Sequence, residues 1–257
     1  MSFILNFPRL VLVLSFAALW TSEWIGAFFR KQTADLEGYQ REDFNLIAAA
    51  TLTLLGLIIG FSFSMAISRY DERKTYEEAE ANAISTEYAR ADLLPIQDAE
   101  RVRALLKSYT DQRISFYISR EDAQLRHIDA TTSGLQNQMW TAVQSPAMAR
   151  PTPVIALAVA GMNDVLNSQG YTQAAWSNRI PDAAWGLMAI IAICSNLLIG
   201  YGVRRNGMKG LLFLTLPLVV SISFFLISDI DSPRRGMIRV RPENLESLVQ
   251  NWHARGS

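Results

Sequence analysis

Cysteine is almost missing from this chain. Cys194 is the only one in 257 residues, so no intrachain disulfide can staple the fold. Histidine is nearly as scarce. His127 and His253 stand far apart, and no HExxH, GxSxG or glycine-rich phosphate loop occurs. These absences argue against an enzyme, and neither a cofactor nor a metal site is expected. Charge is thin as well: Asp, Glu, Lys and Arg make up 19% of the residues, against about 25% in soluble domains. The 24 basic residues are balanced by 24 acidic ones, so there is no electrostatic footprint for nucleic acid. A chain that is 50% hydrophobic is not an intrinsically disordered one.

What the sequence does hold is uncharged apolar runs. Three are unbroken, at residues 44–68, 183–203 and 210–228, and a fourth at 10–29 carries a single acid, Glu23. At about 1.5 Å per residue each can cross the ~30 Å hydrocarbon core as a helix. The first run lacks a small-residue cleavage site after its apolar core, reading Thr21-Ser22-Glu23-Trp24 instead. It is followed by Arg30 and Lys31, so it reads as a retained span and not as a signal peptide. The apolar stretch 154–162 is too short to cross. Its apolar positions 154, 158, 162, 165 and 166 keep helical spacing, which predicts an amphipathic helix outside the lipid.

The expected fold is an all-α integral membrane protein. Four transmembrane helices form two hairpins, and a helical soluble domain is inserted between spans two and three. The chain divides into hairpin 1 (1–68), the soluble domain (69–182), hairpin 2 (183–228) and a polar C-terminal tail (229–257) with a modest helix near Glu243 to Trp252. Residues 69–94 are rich in strong helix formers and hold no Gly or Pro before Pro95. Span two is therefore expected to continue as one helix of about fifty residues, Asp43 to Leu94. A second long helix fits 97–144, with Thr132-Ser133-Gly134 as a weak point. The prolines from Pro146 to Pro153 mark a turn, after which Thr152 caps a third helix with Pro153 in its first turn. Pro181-Asp182 starts span three in the same way.

Basic residues near span ends favour the cytoplasmic side. On the soluble-domain side are Arg9, Arg69, Arg73, Lys74, Arg179, Arg234, Arg235, Arg239 and Arg241; on the loop side are Arg30, Lys31, Arg41, Arg204, Arg205 and Lys209. The excess places the domain and both termini in the cytoplasm, with the spans in a bacterial inner membrane.

Five groups of residues stand out by their chemistry. Gly56, Gly60, Ser64 and Ser68 recur every four residues along span two. Small residues at that spacing let helices approach closely, which serves either packing within the chain or an oligomer and pore face. In the second case Thr53 and Ser62 would line water while Phe61 and Phe63 narrow the path. Asp229 and Asp231 close span four, followed by Arg234 and Arg235. They either end the helix as an internally paired cluster or form an ion site. Glu23, among Trp20, Trp24 and Phe28, is expected at the outer interface, either solvated or paired with Arg30 or Lys31, or in a role at a pore mouth. Asn45, Ser195 and Asn196 fit interhelical hydrogen bonds. Arg69, Asp71, Glu72, Arg73, Glu87, Arg90 and Asp92 form either a solvated face or a ring of charges around a symmetry axis.

Three stretches carry a resemblance: GFSFSMAISRYDERK (60–74) with EANAISTEYARADLLP (80–95), LLKSYTDQRISFY (105–117), and FFLISDIDSPRRGMIRV (224–240) with its D-x-D-x-P-R-R-G. Together, over roughly residues 43–245, the chain resembles the bestrophin-like family of bacterial membrane proteins, named for a distant similarity to bestrophin anion channels. The resemblance implies a pentamer in the bilayer, with span two and its extension around a pore for small ions. It implies anion conduction as well. The acidic run that binds calcium in the animal channels has no counterpart here. The alternative is a non-conducting scaffold or sensor whose helical domain binds a partner.

Overall fold

The computed structural model describes residues 5–32, 38–202 and 211–256. The described residues form α1 (Pro8–Gln32), α2 (Gly38–Arg90), a 3₁₀ turn (Ala91–Leu93), α3 (Ile96–Ile118), α4 (Asp122–Ala149), α5 (Pro153–Ser177), α6 (Asp182–Gly202), α7 (Leu211–Asp231) and α8 (Glu243–Gly256). There is no strand among them. Four helices are long and apolar enough to cross a membrane: α1, the first half of α2, α6 and α7. Arg204, Arg205 and Lys209, half of the basic residues on the loop side, lie outside the described residues.

The chain separates into two compact units. The first is Met1–Arg69 with Arg179–Arg239, and the second is Tyr70–Asn178 with Val240–Ser257. Continuity of α2 was expected. No Gly or Pro interrupts its polar part, and Gly56 and Gly60 lie in its apolar part, where every backbone group is satisfied inside the helix.

In the first unit α1 packs on both α6 and α7. The α1–α6 contact is close because glycines line it. A side chain on Gly26 would strike the Leu197 carbonyl, and one on Gly200 would strike the Glu23 carbonyl. Ser22 Oγ donates to the Ile193 carbonyl at 2.8 Å. Residues 22 and 26 thus face 193 and 197, so α1 and α6 run parallel.

In the second unit the helices bury seams spaced by three, four or seven residues, the spacing of coiled-coil packing. On α3 it is Ala99, Val102, Leu106, Tyr109, Arg113 and Phe116; on α4 Leu125, Ile128, Thr132, Met139 and Val143; on α5 Ile155, Ala158, Met162 and Val165. The expected single helix over 97–144 is instead two helices, broken at Ser119–Glu121. Thr132-Ser133-Gly134 does not interrupt α4, and Pro146 sits inside that helix. The turn is confined to residues 150–152. Thr152 caps α5 as expected, accepting from the Ile155 N–H at 3.3 Å. The modest helix expected near Glu243 to Trp252 is α8, which belongs to the second unit, with Leu245 wholly buried and Trp252 stacked on Tyr88 at 4.5 Å.

Candidate functional site

Within the first unit, α2 buries Ala48, Leu55, Ser62 and Ala66 along one side. At 3.6 residues per turn these four share a face. Thr53, Gly56, Gly60, Ser64 and Ser68 lie on the other side and are exposed. A side chain placed on Gly56 or Gly60 would meet nothing within 4 Å. Among the described residues, nothing in the chain packs against Gly56 or Gly60. Phe61, 64% exposed, and Phe63, 37% exposed, flank the stripe. Ser62 is placed apart from it, buried on the opposite face. The Thr53 hydroxyl donates to the Ala49 carbonyl at 2.9 Å, so it leaves no unmet donor on the open face.

The cluster after α7 is built of backbone caps. The Asp229 carboxylate accepts from the Met237 and Ile238 N–H groups, both at 2.8 Å. Gly236 lies so close to the Asp229 carbonyl that a side chain would not fit. Asp231 accepts from the Ile180 N–H at 3.1 Å, fixing the turn into α6. Ser228 and Ser232 both donate to the Leu5 carbonyl, at 3.0 and 2.9 Å, and the Arg235 guanidinium lies 4.5 Å over the Phe7 ring. The spacing D-x-D-x-P-R-R-G thus folds a turn. No group of three or more His, Cys, Asp or Glu that could hold a metal is found among the described residues.

Several polar residues sit differently from expectation. Glu23 is not solvated: it is 1% exposed, and its Oε2 has no hydrogen-bond partner among the described residues. The Ser195 and Asn196 side chains donate within their own helix, to Ile191 and Ala192, and the interhelical bond comes from Ser22 instead.

The largest departure lies on the polar half of α2. Arg73, Glu77, Glu80 and Glu87 are each at most 1% exposed. With Ile84 and Ala91 they form a seam stepped by four and three. Arg73 and Glu87 thus leave the solvated face, on which Asp71, Glu72 and Asp92 remain exposed. Glu80 pairs with Arg113 of α3, both wholly buried, and also accepts from Tyr117 at 3.3 Å and Thr172 at 3.2 Å. Burial would depress the Arg113 pKa, but Glu80, Tyr109 and Tyr117 outweigh it and raise it, keeping the guanidinium charged. Glu77 caps the start of α8, accepting from the Asn244 and Leu245 N–H groups at 3.1 Å each. Its carboxyl is nonetheless raised, by burial first. Arg73 donates to the Ala175 and Asn178 carbonyls at the end of α5, at 3.3 Å each. An acid thus meets a helix start and a base a helix end, as the helix dipole favours. In sequence these residues look like any charged helix face. The signal was their three-and-four spacing around Ile84, which matches the apolar seams of the neighbouring helices.

The family model for the Bestrophin-like domain matches residues 13–245. Two solved structures of a bacterial bestrophin homologue from Klebsiella pneumoniae, each a point variant, share the fold. One superposes with a TM-score of 0.66 at 13% identity, covering 96% of this chain and 99% of its own. The other gives 0.64 at 14% identity, covering 97% and 99%. No curated protein matches by sequence.

Proposed function

Because the chain belongs to the bestrophin-like family, we propose that it is an ion channel in which several copies gather around α2. The observation that carries this reading is the open face of span two. Thr53, Gly56, Gly60, Ser64 and Ser68 point away from the chain's own helices, and the two glycines have only empty space before them. Lipid-facing helices gain nothing from a row of glycine and hydroxyl groups, whereas a helix neighbour or a water-filled path does. Phe61 and Phe63 stand beside that row as the apolar narrowing of the path. Anion passage and a pentamer are the finer form of the proposal and come from the resemblance. The two-hairpin arrangement, with a helical domain between spans two and three, is supported by the parallel course of α1 and α6. The reading keeps that domain and both termini cytoplasmic, in a bacterial inner membrane.

The test is ion flux in liposomes reconstituted with the full chain. A chloride gradient should drive flux that Gly60→Leu abolishes or strongly reduces. No flux under any gradient or potential sinks the channel reading. A scaffold reading draws on a groove in the second unit of about 700 Å³, lined by Trp140, Pro151, Ile155 and Val159. That reading gains if flux is absent while deletion of residues 97–178 changes the cellular phenotype.

A further inference from the structure

Two large apolar side chains stand open on the turn that follows α7. Met237 is 65% exposed and Ile238 is 42% exposed, yet their backbone is fixed. The Asp229 carboxylate holds both N–H groups. The Gly236 N–H donates to the Ser232 carbonyl at 3.1 Å, which closes the turn between them. Residues 237 and 238 are thereby carried back beside Asp229, about 3 Å inside the helix end at Asp231. On α7 itself Leu218, Ile222 and Leu226 form an exposed apolar stripe. One step of three further along the same face is Asp229, which is only 2% exposed. Met237 and Ile238 thus continue the lipid-facing stripe at the place where its own helix supplies an acid.

Positive charge gathers at this end of the unit. Arg9 of α1, Arg179 before α6, and Arg234, Arg235 and Arg239 after α7 stand against Asp182, Asp229 and Asp231. The Asp229 and Asp231 carboxylates accept from backbone N–H groups. Arg235 is exposed, and its guanidinium is held 4.5 Å over the Phe7 ring. Asn6, the residue before Phe7, accepts from Arg179. One short segment therefore gathers two guanidinium groups. Burial holds the Arg179 pKa below its ordinary value; Asp231 opposes this, and Arg235 lowers it further. An anion placed between two such cations relieves their repulsion, and guanidinium groups match phosphate oxygens in pairs. The order along the turn is apolar pair at the helix end and arginines beyond it. A phospholipid leaflet has the matching order, acyl chains inside and phosphates outside.

We propose that the turn of residues 232–238 is a membrane anchor that binds one anionic phospholipid. Met237 and Ile238 lie against its acyl chains, and Arg235 with Arg179 holds its phosphate. The proposal requires the spans to sit in lipid and does not require conduction.

The experiment is native mass spectrometry of the full chain, delipidated in detergent and titrated with dioleoyl phosphatidylglycerol or dioleoyl phosphatidylcholine. The first phosphatidylglycerol should bind at least about fivefold more tightly than the first phosphatidylcholine, the contribution of one arginine near an anionic surface. Arg235→Gln should erase that preference and Arg235→Lys should keep most of it. Lys31→Gln, at the far end of α1, should leave it intact. Equal affinity for the two lipids on the unaltered chain overturns the proposal, and that comparison requires no variant to fold. So does a preference that survives Arg235→Gln, which places the anionic lipid elsewhere. So does one that inorganic phosphate abolishes while chloride of equal ionic strength does not, which makes this a free-anion site. In a Cys194→Ala background, a bimane attached through Met237→Cys should be quenched by brominated acyl chains in phosphatidylglycerol liposomes. Quenching by aqueous iodide instead shows the pair facing water, and the anchor is then refuted.

Discussion

Replacing Arg113 by Met tests whether the second unit is held together around a buried charge pair. Arg113 and Glu80 are both 0% exposed. Without the guanidinium, the Glu80 carboxylate is left with neutral donors, among them Tyr117 at 3.3 Å and Thr172 at 3.2 Å. Breaking a buried pair by removing one partner costs about 3–5 kcal/mol, because the remaining charge is left uncompensated. For a protein of this size that is a fall in Tm of roughly 6–20 °C. The matched variant, Glu80→Gln with Arg113→Met, removes both charges but leaves an acceptor for Tyr117 and Thr172. It should recover at least about 2 kcal/mol of the loss, since replacing both partners of a buried pair is far milder than removing one. The assay is thermal unfolding of the full chain in detergent, followed by tryptophan fluorescence. Trp176 packs 5.4 Å from Tyr117 and reports on the site directly. A single variant within about 3 °C of the parent, or a double variant no more stable than the single one, would refute the reasoning.

Other predictions follow from the same geometry. Glu87 is wholly buried with neither carboxylate oxygen partnered among the described residues, and burial pushes its pKa up to about 8, against a smaller opposing effect of Arg90. It stays protonated in the folded chain while the unfolded chain ionises, so its contribution is complete below about pH 4.5 and is lost as pH rises towards 8. Glu87→Gln should flatten that slope in a Tm-versus-pH series; an unchanged slope counts against it. Gly200→Ala should destabilise the chain, because the new methyl group meets the Glu23 carbonyl, whereas Gly56→Ala meets open space. Equal melting temperatures for the two would show that the α1–α6 contact is not as close as described. Asp229→Asn replaces one of the two oxygens that hold the Met237 and Ile238 N–H groups. It should loosen the turn after α7, seen as faster proteolysis there, with ion preference unchanged; altered selectivity at normal stability would turn that cluster into a functional site.

The sequence by itself determined the lipid-crossing helices and the length of α2. Those properties need only runs of uncharged residues and the absence of helix breakers, both local in the chain. It also showed Thr152 and Pro153 opening α5, and the even spacing of Gly56, Gly60, Ser64 and Ser68. What it could not decide is which face of a helix is covered. Arg73, Glu77, Glu80 and Glu87 look like solvent-facing charges until Arg113, Asn244 and the end of α5 are brought beside them. Glu23 and Ser62 likewise became interior only once neighbouring helices closed over them. The glycine stripe turned outward because the buried side of α2 was taken by Leu55 and Ala66. Burial is a property of pairs of elements distant in sequence, and a charge becomes affordable inside only when its partner arrives with the fold.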